Sequence, residues 1–189
     1  MRSMPYWRKW NPNSKEFKMA ENADSKHSAD SSEEKSTLVR KARLADVPGM
    51  HRIINHYAEE QRMLPKTELQ LYENLRDYSI VTDRESRESV LACGALHLYW
   101  ENLAEIRAIA VDPDMVHHHL GTSLVESLLD EAQMWGIQRV FVFTYEPKFF
   151  GRFGFTRVEH RALPLKVYNE CFHCPKFNMC DEIAMVLDL

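Results

Sequence analysis

Three consecutive segments decide the fold: AEIRAIAVDP (104–113), LGTSLVESLLDEA (120–132) and RVFVFTYEPKFFGRFGF (139–155). The first predicts a strand over 104–111 that ends at Asp112-Pro113, because proline cannot donate to a β-ladder. The second places apolar residues at the helical period, and the helix it predicts over 120–135 is followed by Gly136, a typical C-cap residue. The third contains a continuous apolar run that predicts a strand over 140–144, as expected in the middle of a sheet.

Working outward, the flanking segments predict further strands and helices. Strands are expected over 38–42, 78–82, 90–100, 155–158 and 182–187, and a short helix over 147–152. Asp46 can cap a helix whose apolar stripe ends at Tyr57, while Thr67 and Gln70 have the spacing of a capping box for a second helix. A run of three antiparallel strands followed by β-α-β predicts an α+β fold, with a mixed, mostly antiparallel twisted sheet and helices on both faces.

Composition excludes several classes of protein. Of 189 residues, 44% are hydrophobic, which is enough for a real core, and no apolar run is long enough to span a membrane. The net charge of −4 argues against a nucleic-acid partner. The first residues have no apolar core of a signal peptide, and four cysteines do not make a disulfide framework, so we expect a cytoplasmic protein.

Residues 1–37 differ from the rest of the chain. The stretch 21–37 is almost entirely small, polar or charged, and it cannot repay the entropy of ordering. We therefore predict a disordered tail over 1–37 and a folded domain over 38–189. Trp7 and Trp10, which lie among basic residues, keep open the alternative of a targeting or partner-binding arm.

The three segments resemble the GNAT superfamily of acetyl-CoA-dependent N-acetyltransferases, and the similarity runs from residue 38 to 189. Four blocks are similar to the short, single-domain amino-acid N-acetyltransferases of the N-acetylglutamate synthase type: MLPKTELQLYENLRDY (63–78), CGALHLYWENLAEIRAIAV (93–111), ALPLKVYNEC (162–171) and CPKFNMCDEIAMVLDL (174–189). The resemblance implies acetyl-CoA as co-substrate, and acetylation of an amino acid, glutamate first, for arginine biosynthesis. A homodimer stays open.

The resemblance also implies that CoA binds at the junction of the 104–111 strand with the following helix. A helix N-terminus with exposed N–H groups favours phosphate. The candidate residues are Ile109, Ala110, Val111, His117, His118, His119, Leu120, Gly121 and Thr122. The family's loop usually reads Arg/Gln-x-x-Gly-x-Gly, and here only Gly121 matches. His119 places a Cβ where the backbone should approach phosphate. The three histidines face phosphate or solvent, or alternatively bind a metal ion.

For the reaction, the resemblance implies direct attack of an amine on the thioester. Glu105 is the candidate base, acting through water; the alternative is an ion pair with Arg107 on the same strand face. The backbone N–H of Val111 is the expected donor to the acetyl carbonyl. Tyr145 is the candidate acid, because Phe150 stands where many family members have tyrosine; it can equally pack at the core's margin.

A substrate with two carboxylates is expected to bind in a positively charged pocket. The matched blocks supply Lys66, Arg107 and Lys166, although close relatives seem to carry arginine where this chain has Lys66. Near the C-terminus, Cys171, Cys174 and Cys180 could hold zinc with a nearby histidine, or form a packed or redox-active loop. The altered CoA loop leaves two alternatives open, namely a GNAT protein acting on another small amine or protein N-terminus, and a non-catalytic binding module.

Overall fold

The structure is a computed structural model of the 189-residue chain, and it describes residues 37–85, 89–116, 118–164, 172, 176 and 179–189. The strands are β1 (Thr37–Lys41), β2 (Tyr78–Asp83), β3 (Val90–Trp100), β4 (Leu103–Val111), β5 (Arg139–Thr144), β6 (Thr156–Arg157) and β7 (Ile183–Asp188). The α-helices are α1 (Val47–Glu59), α2 (Glu68–Glu73), α3 (Leu120–Met134) and α4 (Pro147–Gly151). The predicted order of strands and helices is confirmed. Of the tail predicted over 1–37, residues 1–36 lie outside the described residues, and Thr37 begins β1.

Seven strands of this part of the chain form one sheet in the order β1-β2-β3-β4-β5-β7-β6. The pairing is antiparallel throughout, except between β4 and β5, which run parallel. This confirms the mixed, mostly antiparallel sheet. The last strand of the chain inserts between β5 and β6, an arrangement that local sequence patterns do not reveal.

Helices cover both faces of the sheet, as predicted. The apolar stripe of α1 buries Val47, Met50, Ile53 and Ile54 against one face. The stripe of α3 buries Leu120, Leu124, Val125, Leu128 and Ala132 against the opposite face. Among the described residues, no helix is long and apolar enough to cross a lipid bilayer.

The predicted caps give mixed results. The Thr67–Gln70 capping box is confirmed, and Gly136 follows α3 with a φ of 73°. The side chain of Asp46 makes no capping hydrogen bond to α1, so that prediction is wrong. Its carboxylate instead accepts hydrogen bonds from the Arg40 guanidinium, at 2.7 and 2.9 Å, and from the backbone N–H of Arg43. A nearby arginine outcompetes the helix for this buried carboxylate.

A β-bulge in β4 changes which face each residue occupies. Ala108 has a φ of 54°, and the register with β3 shifts at this point. Before the bulge, Ala104 and Ile106 face α3. After it, Ile109 packs against the α3 side, while Ala110 belongs to the cluster under α1. The bulge therefore reverses which face of the sheet each residue after Ala108 occupies. Strict alternation of faces along a strand does not predict this reversal.

Candidate active site

A cleft opens in the sheet where β4 and β5 part. Their parallel pairing covers only three positions, the last of which joins Glu105 to Phe141. β4 continues to Val111 and β5 to Thr144 without pairing to each other. This side of β4 therefore does not pair with β5 beyond Glu105, and the resemblance implies that the pantetheine arm of CoA lies there.

The backbone at Val111 points into this cleft. The N–H of Asp112 donates to the carbonyl of Leu91 on β3 at 2.8 Å, so the preceding carbonyl, that of Val111, points away from β3. That carbonyl accepts a 2.8 Å hydrogen bond from the Tyr57 hydroxyl. Because the N–H and C=O of one strand residue point to the same side, the Val111 N–H also faces the cleft, where a donor to an acetyl carbonyl is needed.

The loop after β4 ends in a left-handed residue. His119, directly before α3, has a φ of 56°, which glycine adopts most readily. Its carbonyl accepts from the N–H groups of Thr122 and Ser123. Helix geometry leaves the N–H groups of Leu120 and Gly121 without an acceptor inside the helix. His119 therefore has the left-handed backbone conformation that glycine would provide in a phosphate-binding turn; His117 lies outside the described residues.

Gly121 keeps the start of α3 open. A Cβ placed there would lie 3.5 Å from the ring of Phe149 and 3.7 Å from Val111, both ordinary contacts. The protein alone does not require glycine at this position. Space for a phosphate at the helix N-terminus is a sufficient reason for it, and the residues present fit a CoA pyrophosphate.

Asp112 fixes the start of the loop. Its carboxylate accepts hydrogen bonds from Arg52 on α1 at 2.6 Å and from the N–H of Asp114 at 3.1 Å. Burial raises the pKa of Asp112, but these hydrogen bonds outweigh burial and hold that pKa below its ordinary value. The carboxylate is therefore charged at neutral pH and ties α1 to the end of β4.

A row of polar side chains lies on the α1 side of the sheet, at the head of the cleft. Glu105 is 9% exposed and accepts a 3.1 Å hydrogen bond from the hydroxyl of Tyr99 on β3. Nδ1 of His97 lies 2.5 Å from the carboxylate of Asp77, and Nη2 of Arg107 lies 3.8 Å from the same carboxylate. Acidic, basic and hydroxyl groups thus meet where the two strands separate.

A comparison with known protein families identifies the chain. Residues 47–155 match the model of the Acetyltransferase (GNAT) family, a range that spans β4, the loop, α3 and the cleft. The chain belongs to the GNAT family of acetyltransferases. It is thus an acetyltransferase that uses acetyl-CoA as its co-substrate, and the family resemblance found in the sequence is confirmed.

Individual relatives agree with this assignment. An amino-acid acetyltransferase of Mycobacterium tuberculosis is 38% identical over 152 residues, covering 80% of this chain and 84% of the relative. A Mycobacterium tuberculosis protein solved in complex with CoA superposes with a TM-score of 0.70 at 34% identity, over 80% of this chain and 99% of that one. N-acetylglutamate synthase of Neisseria gonorrhoeae, solved with coenzyme A and N-acetyl-glutamate, shares the fold at a TM-score of 0.72 and 22% identity; the match covers 81% of this chain and 35% of that one.

Two of the three cations predicted to bind substrate can be placed in the acetyltransferase. The side chain of Arg107 is 10% exposed and belongs to the polar row. Lys66 lies in the loop between α1 and α2, where Asn55 clamps its backbone: Asn55 accepts from the N–H of Lys66 and donates to its carbonyl. Lys166 lies outside the described residues. The convergence of all three therefore stays a prediction.

Tyr145, the predicted acid, follows β5 on the far side of the cleft. Its hydroxyl donates to Asp181 at 2.6 Å and accepts from Nζ of Lys176 at 3.1 Å. Desolvation and the hydrogen bond with Asp181 raise the pKa of Tyr145, against the opposing effect of Lys176. Tyr145 therefore holds its proton at neutral pH, as an acid must. Phe150, in contrast, is the residue by which α4 packs into the buried core.

The cysteines can be described only in part. Cys171 and Cys174 lie outside the described residues, while the thiol of Cys180 is 3.9 Å from a carboxylate oxygen of Glu182. No group of three or more histidine, cysteine or acidic residues that could hold a metal occurs within the part of the chain that the structure describes. Cys93 is buried in the core, and burial raises the pKa of its thiol to about 12.

Sequence analysis overlooked four side chains of the site: Tyr57, Asp77, His97 and Tyr99. Tyr57 was assigned only to the apolar stripe of α1, yet its hydroxyl reaches the end of β4. His97 and Tyr99 alternate along β3 in register with β4, and His97 pairs directly with Glu105. These side chains come together through the pairing register of β3 with β4, which no local sequence motif indicates.

Proposed function

We propose that this acetyltransferase transfers the acetyl group of acetyl-CoA to the α-amine of an acidic amino acid, with glutamate preferred. The observation that carries the proposal is the position of Arg107. Arg107 is two residues from Glu105 on the same strand face, and its nearly buried guanidinium lies 3.8 Å from the Asp77 carboxylate. Guanidinium groups bind carboxylates with bidentate geometry, and the name of the 38% identical relative supports an amino-acid substrate.

In the proposed reaction the amine nitrogen forms a bond to the acetyl carbon while the carbon–sulfur bond breaks. Glu105, six residues before Val111 on β4, accepts the proton of the ammonium group through a chain of water molecules. The Val111 N–H donates to the carbonyl oxygen, whose negative charge grows as the amine attacks. Tyr145, whose hydroxyl donates to Asp181 in the structure, gives its proton to the leaving thiolate. The second proton that the attacking nitrogen loses replaces it through water, and Glu105 releases its own proton to solvent. Each residue acts at a different atom, and the cleft between β4 and β5 separates the base from the acid.

A substrate panel tests the proposal directly. Glutamate, aspartate, glutamine, lysine and alanine are each incubated with acetyl-CoA, and the release of free thiol is followed. We expect kcat/KM for glutamate to exceed that for alanine or lysine by at least tenfold, because one charge-assisted hydrogen bond contributes about 1.5–3 kcal/mol. Equal rates with glutamate, lysine and alanine would contradict the amino-acid assignment. Acetylation of lysine alone would favour a different amine.

A matched pair of variants tests the role of Arg107. Arg107→Gln should raise KM for glutamate by about tenfold or more and leave KM for acetyl-CoA within twofold. Arg107→Lys should recover part of the loss, because it keeps the charge without the bidentate fork. Arg76→Gln, at an exposed position, serves as the control for loss of one arginine. An unchanged KM for glutamate in Arg107→Gln would remove Arg107 from the substrate site.

We extend the proposal to the synthesis of N-acetylglutamate for arginine biosynthesis, a role that the family resemblance implies. The alternative of a non-catalytic module rested on the altered CoA loop. His119 adopts the backbone conformation that glycine would provide, and this supports a loop that still binds phosphate. Binding of acetyl-CoA without thiol release by any amine of the panel would favour the non-catalytic alternative.

A further inference from the structure

We propose that Tyr99 is a positioning residue for Glu105: its hydroxyl holds the carboxylate at the head of the cleft in the orientation that proton transfer needs. This inference rests on the proposed role of Glu105 as the base. The Tyr99 hydroxyl lies 3.1 Å from Oε2 of Glu105. A carboxylate that accepts this hydrogen bond is restricted in its rotation about the last side-chain bond.

The ring of Tyr99 is itself fixed by neighbours on two strands. The ring of His97 packs edge-on against it, with centroids 4.9 Å apart, and the ring of Phe141 on β5 lies 5.5 Å away. Tyr99 thus reaches from β3 across β4 to touch β5. The aromatic series continues to Phe143, whose centroid lies 5.8 Å from that of Phe141. Because rings on both sides confine Tyr99, the position of its hydroxyl is determined by the sheet.

The neighbour of Tyr99 is also anchored. Nδ1 of His97 lies 2.5 Å from a carboxylate oxygen of Asp77, which precedes β2. The Asp77–His97 pair therefore holds the ring that packs against Tyr99, and Tyr99 in turn holds Glu105. A base fixed in this way loses little orientational freedom when the amine arrives, and this lowers the barrier without adding contacts to the substrate.

The location explains why such support is useful. Glu105 is the last residue of β4 paired with β5, so on its C-terminal side the strand lacks the second neighbour that would stiffen it. The hydroxyl of Tyr99 supplies from β3 the restraint that β5 no longer gives.

A double-mutant cycle tests the inference. Tyr99→Phe keeps the ring and removes the hydroxyl; we expect kcat to fall by about tenfold, with KM for acetyl-CoA and for the amine within twofold. Glu105→Gln alone should lower kcat far more, and adding Tyr99→Phe to it should lower kcat by less than twofold. Tyr72→Phe, which removes a hydroxyl from an exposed tyrosine on α2, is the matched control.

The outcomes are distinguishable. Full additivity of the two variants, or a kcat of Tyr99→Phe within twofold of the wild-type value, overturns the positioning role. A rise in KM for the amine at constant kcat shows that Tyr99 touches substrate, which also overturns it. The cycle can use whichever amine the wild-type enzyme acetylates, so failure of the glutamate assignment leaves the test intact. A Glu105→Gln variant with wild-type kcat removes the base, and the positioning role with it.

Discussion

Glu105 and Phe141 form the last paired position between β4 and β5, and the two strands separate immediately after them. Glu105 is the only acidic residue of β4, and Phe141 on β5 is fully buried. The carboxylate thus lies where the sheet opens, and apolar packing begins directly beside it.

The first prediction concerns Glu105 as a base. Glu105→Gln should lower kcat by about two to four orders of magnitude, because it removes the acceptor for the amine's proton. The affinity for acetyl-CoA, measured by calorimetry, should stay within threefold. Glu101→Gln, in the exposed turn between β3 and β4, provides the control. A loss below threefold in Glu105→Gln would mean that the carboxylate only pairs with a neighbouring cation.

The second prediction concerns the left-handed residue of the CoA loop. His119→Gly should raise the free energy of unfolding by about 1 kcal/mol, since glycine avoids the steric cost of a positive φ. His118→Gly should instead lower it, because there glycine only adds freedom to the unfolded chain. Chemical denaturation measures both. We expect acetyl-CoA to bind His119→Gly at least as tightly as the wild-type chain, and weaker binding would show that the imidazole itself contacts phosphate.

The third prediction concerns Gly94 opposite the bulge. A Cβ on Gly94 would lie 2.3 Å from Cδ1 of Ile109, so Gly94→Ala must displace this side chain from the α3 cluster. We expect a loss of stability of about 2 kcal/mol, typical of overpacking in a core. Gly151→Ala is the matched control, because nothing lies within 4 Å of a Cβ there. Equal melting temperatures for Gly94→Ala and Gly151→Ala would show that Ile109 can move away at little cost in stability.

The fourth prediction concerns pH and Asp46. Burial raises the pKa of this carboxyl, but hydrogen bonds from Arg40 and Arg43 outweigh burial and lower it below 3.8. Its stabilising contribution is therefore complete above pH 3.8 and is lost as the pH falls through the lowered pKa. Asp46→Asn should cost about 2 kcal/mol at pH 7, and the difference from wild type should shrink in acid.

Asp130→Asn, at an exposed position on α3, is the control for Asp46→Asn and should change the stability little at either pH. Denaturant titrations at several pH values between neutral and acid conditions measure the effect. A constant difference between Asp46→Asn and wild type across this range would show that the charge of Asp46 does not stabilise the fold.

Local patterns in the sequence were sufficient for the strands and helices. The apolar stripes of α1 and α3, the Thr67–Gln70 box and Gly136 each depend on neighbours within four residues, and the structure agrees with these assignments. The insertion of β7 between β5 and β6 depends instead on contacts between distant segments, which periodicity cannot encode. The family resemblance pointed to the site, because it carries information about the whole fold.

The side chains around Glu105 were harder to foresee. Tyr99, His97 and Asp77 meet Glu105 and Arg107 only because β3 pairs with β4 in one particular register. The bulge at Ala108 escaped prediction because alanine carries no tendency toward a positive φ, and the surrounding structure imposes it. The missing cap at Asp46 has a similar reason, since its carboxylate accepts hydrogen bonds from Arg40 instead of from the helix.

The separation of β4 from β5 gives the sheet an edge in its interior. Unpaired strand edges recruit extended chains, and acetyl-CoA contains one, because its pantetheine arm carries two amide groups in an extended line. Bound in the cleft, the arm can serve as a temporary strand that completes the sheet. The co-substrate would then be a structural part of the fold during turnover, and its binding should slow hydrogen exchange in the outer half of β4 and raise the melting temperature with ligand concentration.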